Sequence, residues 1–162
     1  IALAAKHFGL EVIGLNSDGR AVEGFTACYP GADRLAFAAG LDYLVSVLPQ
    51  TSQTDNLIDE ALLKRLNPRA IVFNVGRGNA LVETDLIASL NAGRLRAAVL
   101  DVFREEPLPA DDPLWSTPGV HVTSHTAGPT PDEAVAEVFE RNLKRYIAGE
   151  PLPDAVRACR GY

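Results

Sequence analysis

The sequence predicts a doubly wound α/β fold, a parallel sheet with helices on both faces. Short β-rich runs alternate with helical patterns along most of the chain. The runs are apolar at nearly every position, as strands covered on both faces are. The distinctive polar residues also fall just after the runs, where open α/β sheets bind ligands.

The expected strands are residues 11–15, 43–48, 70–75, 96–101 and 120–123. Ahead of them, Ile1 to His7 reads as the last two turns of a helix, stopped by Gly9. It lacks the basic leader of a secretion signal. With no methionine anywhere, the chain is expected to be part of a longer protein. Helices are expected near 31–39, 59–66 and 83–92, the last closed by Gly93. A final helix should start at Thr130-Pro131-Asp132-Glu133, with threonine as N-cap, proline at N1 and glutamate at N3. It should run to about residue 148, with Val135, Val138, Phe139, Leu143, Tyr146 and Ile147 as one core-packing stripe. The tail after Gly149, with Pro151 and Pro153, reads as extended.

At 162 residues the chain can bury a real core, and 47% hydrophobic with 22% charged residues is an ordinary globular balance. A net charge of −6 argues against nucleic acid or an anionic membrane as partner. No apolar run approaches the roughly 20 residues of a membrane span. Cys28 and Cys159 do not make a disulfide framework or a metal knuckle, so a reducing compartment, the cytoplasm, is expected and no metal.

Three segments carry chemistry: Asn74-Val75-Gly76-Arg77-Gly78, Leu100-Asp101-Val102-Phe103-Arg104-Glu105-Glu106-Pro107-Leu108 and Thr123-Ser124-His125-Thr126-Ala127-Gly128. Reduction of a 2-keto acid needs a hydride, a proton for the carbonyl oxygen, and a grip on the carboxylate. Arginine grips a carboxylate with two parallel charge-assisted hydrogen bonds, and Arg77 between glycines can meet a ligand without crowding. Histidine suits the proton donor because it titrates near neutrality, which points to His125. A carboxylate beside it would stabilise the imidazolium and orient the ring. Glu106 is preferred to Glu105 because Pro107 biases its predecessor toward an extended shape. Asp101, ending a buried strand, needs donors; a nicotinamide amide and the following loop are equal candidates.

These segments, with Leu48-Pro49-Gln50-Thr51 to Thr54 and Asp112-Pro113-Leu114-Trp115, closely resemble the D-isomer-specific 2-hydroxyacid dehydrogenase family over essentially the whole chain. The Glu106-Pro107-Leu108-Pro109 segment and the end Arg157-Ala158-Cys159-Arg160-Gly161-Tyr162 resemble its glyoxylate/hydroxypyruvate reductase branch. The resemblance implies a Rossmann-like NAD(P)-binding domain over 1–128, lacking its first strand and glycine-rich turn. It implies that 129–162 are a helix and tail returning to a substrate domain, which would leave the apolar stripe partly exposed. By the same resemblance Arg77 binds substrate, His125 is the acid/base, and Glu106 pairs with it. Leu48, Pro49, Thr54, Val75, Gly76, Arg77, Asp101, His125, Ala127 and Gly128 would line the cofactor. Asn16, Ser17 and Arg20 would meet its adenosine end.

The sequence departs from the family pattern at Ser124, where the family has proline, and at Thr126, where it has an apolar residue. It also has Asn16 where an acidic residue usually holds the ribose. A neutral Asn16 with Arg20 nearby tolerates a 2′-phosphate, whereas Asp18 would favour NAD; the balance leans to NADP. The function implied is reduction of glyoxylate, hydroxypyruvate or a similar 2-keto acid, with a homodimer expected of the full-length protein. The alternatives are a phosphoglycerate or D-lactate dehydrogenase and an NAD(P)-sensing corepressor. Without a glycine-rich turn to receive the pyrophosphate, the 162 residues by themselves should bind NADPH poorly and reduce nothing. Micromolar or tighter binding in a fluorescence titration of the isolated chain would refute this.

Overall fold

The computed structural model describes residues 1–128, 130–153 and 155. The elements run α1 (Ala2–His7), β1 (Ile13–Asn16), β2 (Ala27–Pro30), α2 (Arg34–Phe37), β3 (Tyr43–Ser46) and α3 (Glu60–Leu63). They continue with β4 (Ala70–Asn74), α4 (Glu83–Asn91), β5 (Leu95–Leu100), β6 (Val120–Val122) and α5 (Asp132–Ile147). Short 3₁₀ turns occupy Gly31–Asp33, Gly78–Ala80 and Pro113–Trp115. Every strand pairing is parallel. The doubly wound α/β class predicted from the sequence is the class observed.

The five expected strands are present, each shifted or trimmed by one or two residues, and a sixth, β2, was missed. Ala27-Cys28-Tyr29-Pro30 is short and ends in proline, which lacks the N–H a central strand must donate. The strands do not form the single sheet the sequence suggested. β1 pairs only with β2, and a separate four-stranded sheet has the order β3-β4-β5-β6. Asn16, at the end of β1, with Ser17 and Arg20 just after it, therefore belongs to a different sheet from the other predicted site residues.

The core lies against one face of the larger sheet. Leu44, Val72, Ala98 and Leu100 from its strands meet Phe37, Leu62, Leu63, Leu86 and Leu90 from the helical side. Burial alternates along β3, where Leu44 and Ser46 are buried while Tyr43 and Val45 are exposed. Gly93, with φ of 67°, takes the left-handed conformation expected after α4.

At α5 the structure corrects the sequence twice. The helix starts at Asp132 with Pro131 as N-cap and no side-chain cap hydrogen bond, so the predicted box led by Thr130 does not form. The stripe that periodicity assigned to the core is exposed, in line with the resemblance: Val135, Val138, Phe139, Leu143, Tyr146 and Ile147 all face solvent, and no described residue of α5 is buried. A 3.6-residue period shows that a helix has an apolar face but not what covers it. The segment 157–162, used for the resemblance, lies outside the described residues.

Leu86 is fully buried at the centre of the core. Leu86→Ala should destabilise the protein by about 3 kcal/mol, the usual cost of removing a core leucine. Urea denaturation would measure it, and a loss below about 1 kcal/mol would show that the core relaxes into the space.

Candidate active site

The site is built from three loops at the carboxyl ends of β3, β4 and β5, and a fourth after β6. The β4 loop is shaped by Asn74, which is fully buried. Its amide donates to the Arg77 carbonyl at 3.2 Å and accepts from the Gly76 N–H at 3.4 Å, closing a tight turn. The two glycines of that turn are sterically required. A Cβ on Gly76 would lie 2.5 Å from the Leu48 nitrogen, and one on Gly78 would lie 2.0 Å from the Phe103 carbonyl carbon and oxygen. The β4 turn thus packs by bare backbone against the loop after β3 on one side and the loop after β5 on the other. Arg77 projects from between these contacts, with Nη1 donating to the Gly76 carbonyl at 2.8 Å.

His125 is held at the other end of the site. Its Nδ1 lies 2.8 Å from Glu106 Oε2. The other Glu106 oxygen accepts from the Phe103 N–H at 2.9 Å, so the carboxylate is fixed from both ends. His125 has a φ of 55°, in the left-handed region that non-glycine residues rarely occupy. Asp101 imposes that shape. Its carbonyl accepts from the His125 N–H at 2.9 Å, and its carboxylate accepts from the amides of Thr126 at 3.0 Å and Ala127 at 2.8 Å. Thr123 Oγ1 donates to the same carboxylate. Of the two roles weighed for Asp101, the geometry gives it the loop-holding one outright. One of its roughly four acceptor positions remains for another donor.

Arg77, Glu106 and His125 line one cleft with Gln50, Asp55, Gly78, Asn79, Phe103 and Arg104. A second cleft of about 450 Å³ adjoins it, walled by Val47, Leu48, Pro49, Gln50, Val75, Gly76 and Arg77. Arg77 and Gln50 border both. Other predicted ligand-facing residues are occupied elsewhere. Thr54 turns its hydroxyl onto the Pro49 carbonyl at 2.7 Å, and Asn16 donates to the Arg20 carbonyl at 2.8 Å while accepting from the Gly19 N–H. Each shapes its loop. Arg20 and Asp18 face each other at 3.7 Å on an exposed turn with Ser17. Ala127 and Gly128 are exposed beyond the His125 loop.

Residues 1–127 match the family model for the NAD binding domain of D-isomer specific 2-hydroxyacid dehydrogenases. The chain belongs to that family. It is 37% identical over its whole length to glyoxylate/hydroxypyruvate reductase A of Yersinia enterocolitica, and covers 52% of that protein. It is 42% identical over 78% of its length to the Klebsiella pneumoniae protein of the same name, covering 40% of it. Among solved structures, it superposes with a TM-score of 0.93 on a family member from Xanthobacter autotrophicus crystallised with NADPH and MES, at 36% identity over 99% of this chain and 66% of that one. An NADPH-dependent glyoxylate/hydroxypyruvate reductase from Sinorhizobium meliloti, in complex with NADP and sulfate, gives 0.92 at 34% identity, covering 99% of this chain and 52% of that one. The chain thus spans about half the length of the curated relatives it matches. No helix among the described residues is long and apolar enough to cross a membrane.

The sequence reading passed over Gln50, Arg104 and Thr123. Gln50 gave a usable signal, lying beside Pro49 in a matched stretch. Thr123 and Arg104 also lie in matched segments, but their partners gave no signal, being Asp101, 22 positions away, and residues 21 to 49 positions away.

Both acidic groups of the site ionise unusually easily. The Phe103 amide, then the hydrogen bond from His125, hold the Glu106 carboxyl below its ordinary range, aided by the charges of His125 and Arg77 against some desolvation. For Asp101 burial pushes upward, but Thr123, the Thr126 and Ala127 amides and the His125 charge together bring it below the usual aspartate value. A carboxylate depressed in the folded state stabilises that state fully above its unfolded pKa, and the contribution vanishes as pH falls through the folded value. The His125 loop should therefore hold down to about pH 4 and loosen below it. Asp101→Asn should remove its share of this acid-dependent component and leave that of Glu106, seen as a flatter loss of near-UV dichroism on acidification. An unchanged acid transition in that variant would refute the role given to Asp101.

Proposed function

We propose that this chain is the cofactor-binding part of an NADP-preferring reductase, with NAD the less favoured cofactor. It would convert glyoxylate, hydroxypyruvate or a similar small 2-keto acid to the 2-hydroxy acid. The observation that carries the proposal is the 2.8 Å pairing of His125 Nδ1 with Glu106 in the same cleft as Arg77. In this reading His125 would be the proton donor and Arg77 the carboxylate-binding cation around one small space.

The residues present suit a nicotinamide. The adjoining cleft offers aliphatic walls from Val47, Leu48 and Val75, and a stretch of bare backbone at Gly76 where a flat ring can approach. Leu48, Pro49, Val75, Gly76, Ala127 and Gly128 would hold the group, with the free acceptor position of Asp101 for its amide. A bound reduced nicotinamide supplies the hydride. Arg77 spends one described donor on Gly76 and keeps others for a carboxylate. With Glu106 accepting at Nδ1, the Nε2–H of protonated His125 faces the task of delivering a proton to the carbonyl oxygen. Afterwards the ring is left neutral with its proton on Nδ1, still held by Glu106. At the adenosine end, Asn16 carries no charge and Asp18 is offset by Arg20, which favours the phosphorylated cofactor.

The same reading makes residues 1–128 the cofactor domain, and 129–162 a segment whose apolar face packs on the substrate domain. The full-length protein would be a cytoplasmic homodimer. In that protein, His125→Asn should lower glyoxylate reduction by about 10²–10⁴-fold and leave NADPH affinity within about twofold. Reduction at the parent rate would remove His125 from the acid/base role.

A further inference from the structure

We propose that Arg104 is a positioning residue that sets the distance between the carboxylate-binding Arg77 and the proton-donating His125. The inference rests on the reductase reading for its chemistry, but its geometry stands apart. The Arg104 guanidinium reaches two neighbouring loops at once. Nε donates to the Leu81 carbonyl at 2.8 Å, and Nη2 donates to the Asn79 carbonyl at 2.7 Å and to Asn56 Oδ1. Asp55 balances its charge at 3.8 Å. The Arg104 backbone N–H is held as well, by Glu83 Oε1 at 3.0 Å.

These contacts join the segment after β3, through Asp55 and Asn56, to the Arg77 turn, through Asn79 and Leu81. Both are joined to the loop after β5, on which Arg104 itself sits. One residue before Arg104, the Phe103 N–H holds Glu106, and Glu106 holds His125. One position beyond Arg77, Gly78 leaves no room between the β4 turn and Phe103. Arg104 therefore clamps shut the seam across which the two ends of a small 2-keto acid would be gripped. Arg104 borders the cleft, but its Nε and Nη2 are turned to protein acceptors and its Nη1 faces Asp55, so its effect runs through Arg77 and Glu106. Lysine cannot replace it, since one ammonium cannot reach three acceptors spread along a planar fork.

The test is steady-state kinetics of the full-length protein with glyoxylate and NADPH, comparing Arg104→Ala, Arg104→Lys and Asn56→Gly. A displacement of about 1 Å in such a site costs on the order of 100-fold. Arg104→Ala should therefore lower kcat/KM for glyoxylate by about 10- to 100-fold, with KM for NADPH within about twofold. Arg104→Lys should recover less than about threefold of that loss. A variant that lost only thermal stability, with parent kcat and KM in its folded fraction, would overturn the proposal. So would full recovery by lysine. Should Arg104→Ala not fold, Asn56→Gly decides. It removes one acceptor at a residue whose φ of 56° glycine adopts freely. A loss of about threefold in kcat/KM supports the clamp, and parent kinetics overturn it. A parent protein that reduced no 2-keto acid would count against the reaction and not the clamp, which amide hydrogen exchange at residues 101–106 reads directly. Exchange in Arg104→Ala should quicken there and at the 76–82 turn, and unchanged exchange would refute the clamp.

Discussion

Backbone pressed against backbone at Gly76 and Gly78 is the constraint on which the site depends. A side chain at either position would occupy space already filled by Leu48 or Phe103. Because neither is there, three loops that leave three different strands can meet within the reach of a small molecule. Asn74 keeps the turn closed, and its complete burial makes both its hydrogen bonds hard for water to replace. Arg77 stands between these two glycines, so the place of its charge follows from two absences.

The histidine end is organised by charge instead of close packing. Asp101 is 2% exposed, and a carboxylate there is tolerated only because four donors surround its carboxylate and carbonyl. Those donors are the backbone and side chains of the loop that carries His125. The same aspartate thus holds the left-handed backbone of His125 through its carbonyl and the flanking loop through its carboxylate. Glu106 extends this by linking the ring to the Phe103 amide, and so to the glycine contact.

Membership of the 2-hydroxyacid dehydrogenase family fits an architecture in which chemistry is gathered at strand ends. The two sheets make the division of labour visible. The four-stranded sheet carries the arginine, glutamate and histidine, while the turn after β1, in the smaller sheet, bears Asn16, Ser17 and Arg20. Apart from both, α5 carries an exposed apolar stripe.

Much of this was legible from residue order. Alternating apolar runs revealed the parallel α/β class and five of the six strands, since a buried strand must be apolar along its length. The kit of Arg77, Glu106 and His125 could be named because few side chains grip a carboxylate or give up a proton near neutrality. Proline after Glu106 even favoured the correct glutamate as the partner of His125. What remained hidden depends on distance through space. β2 is too short and too marked by its proline to announce itself, and Thr130 looks like a cap that the folded chain does not use. The split into two sheets, the donors gathered on Asp101 and the reach of Arg104 all depend on contacts that no local pattern encodes. The sequence by itself determined which chemical groups the site would contain, because those follow from residue type. Only the tertiary structure decided how they are held, because that depends on which backbones can touch.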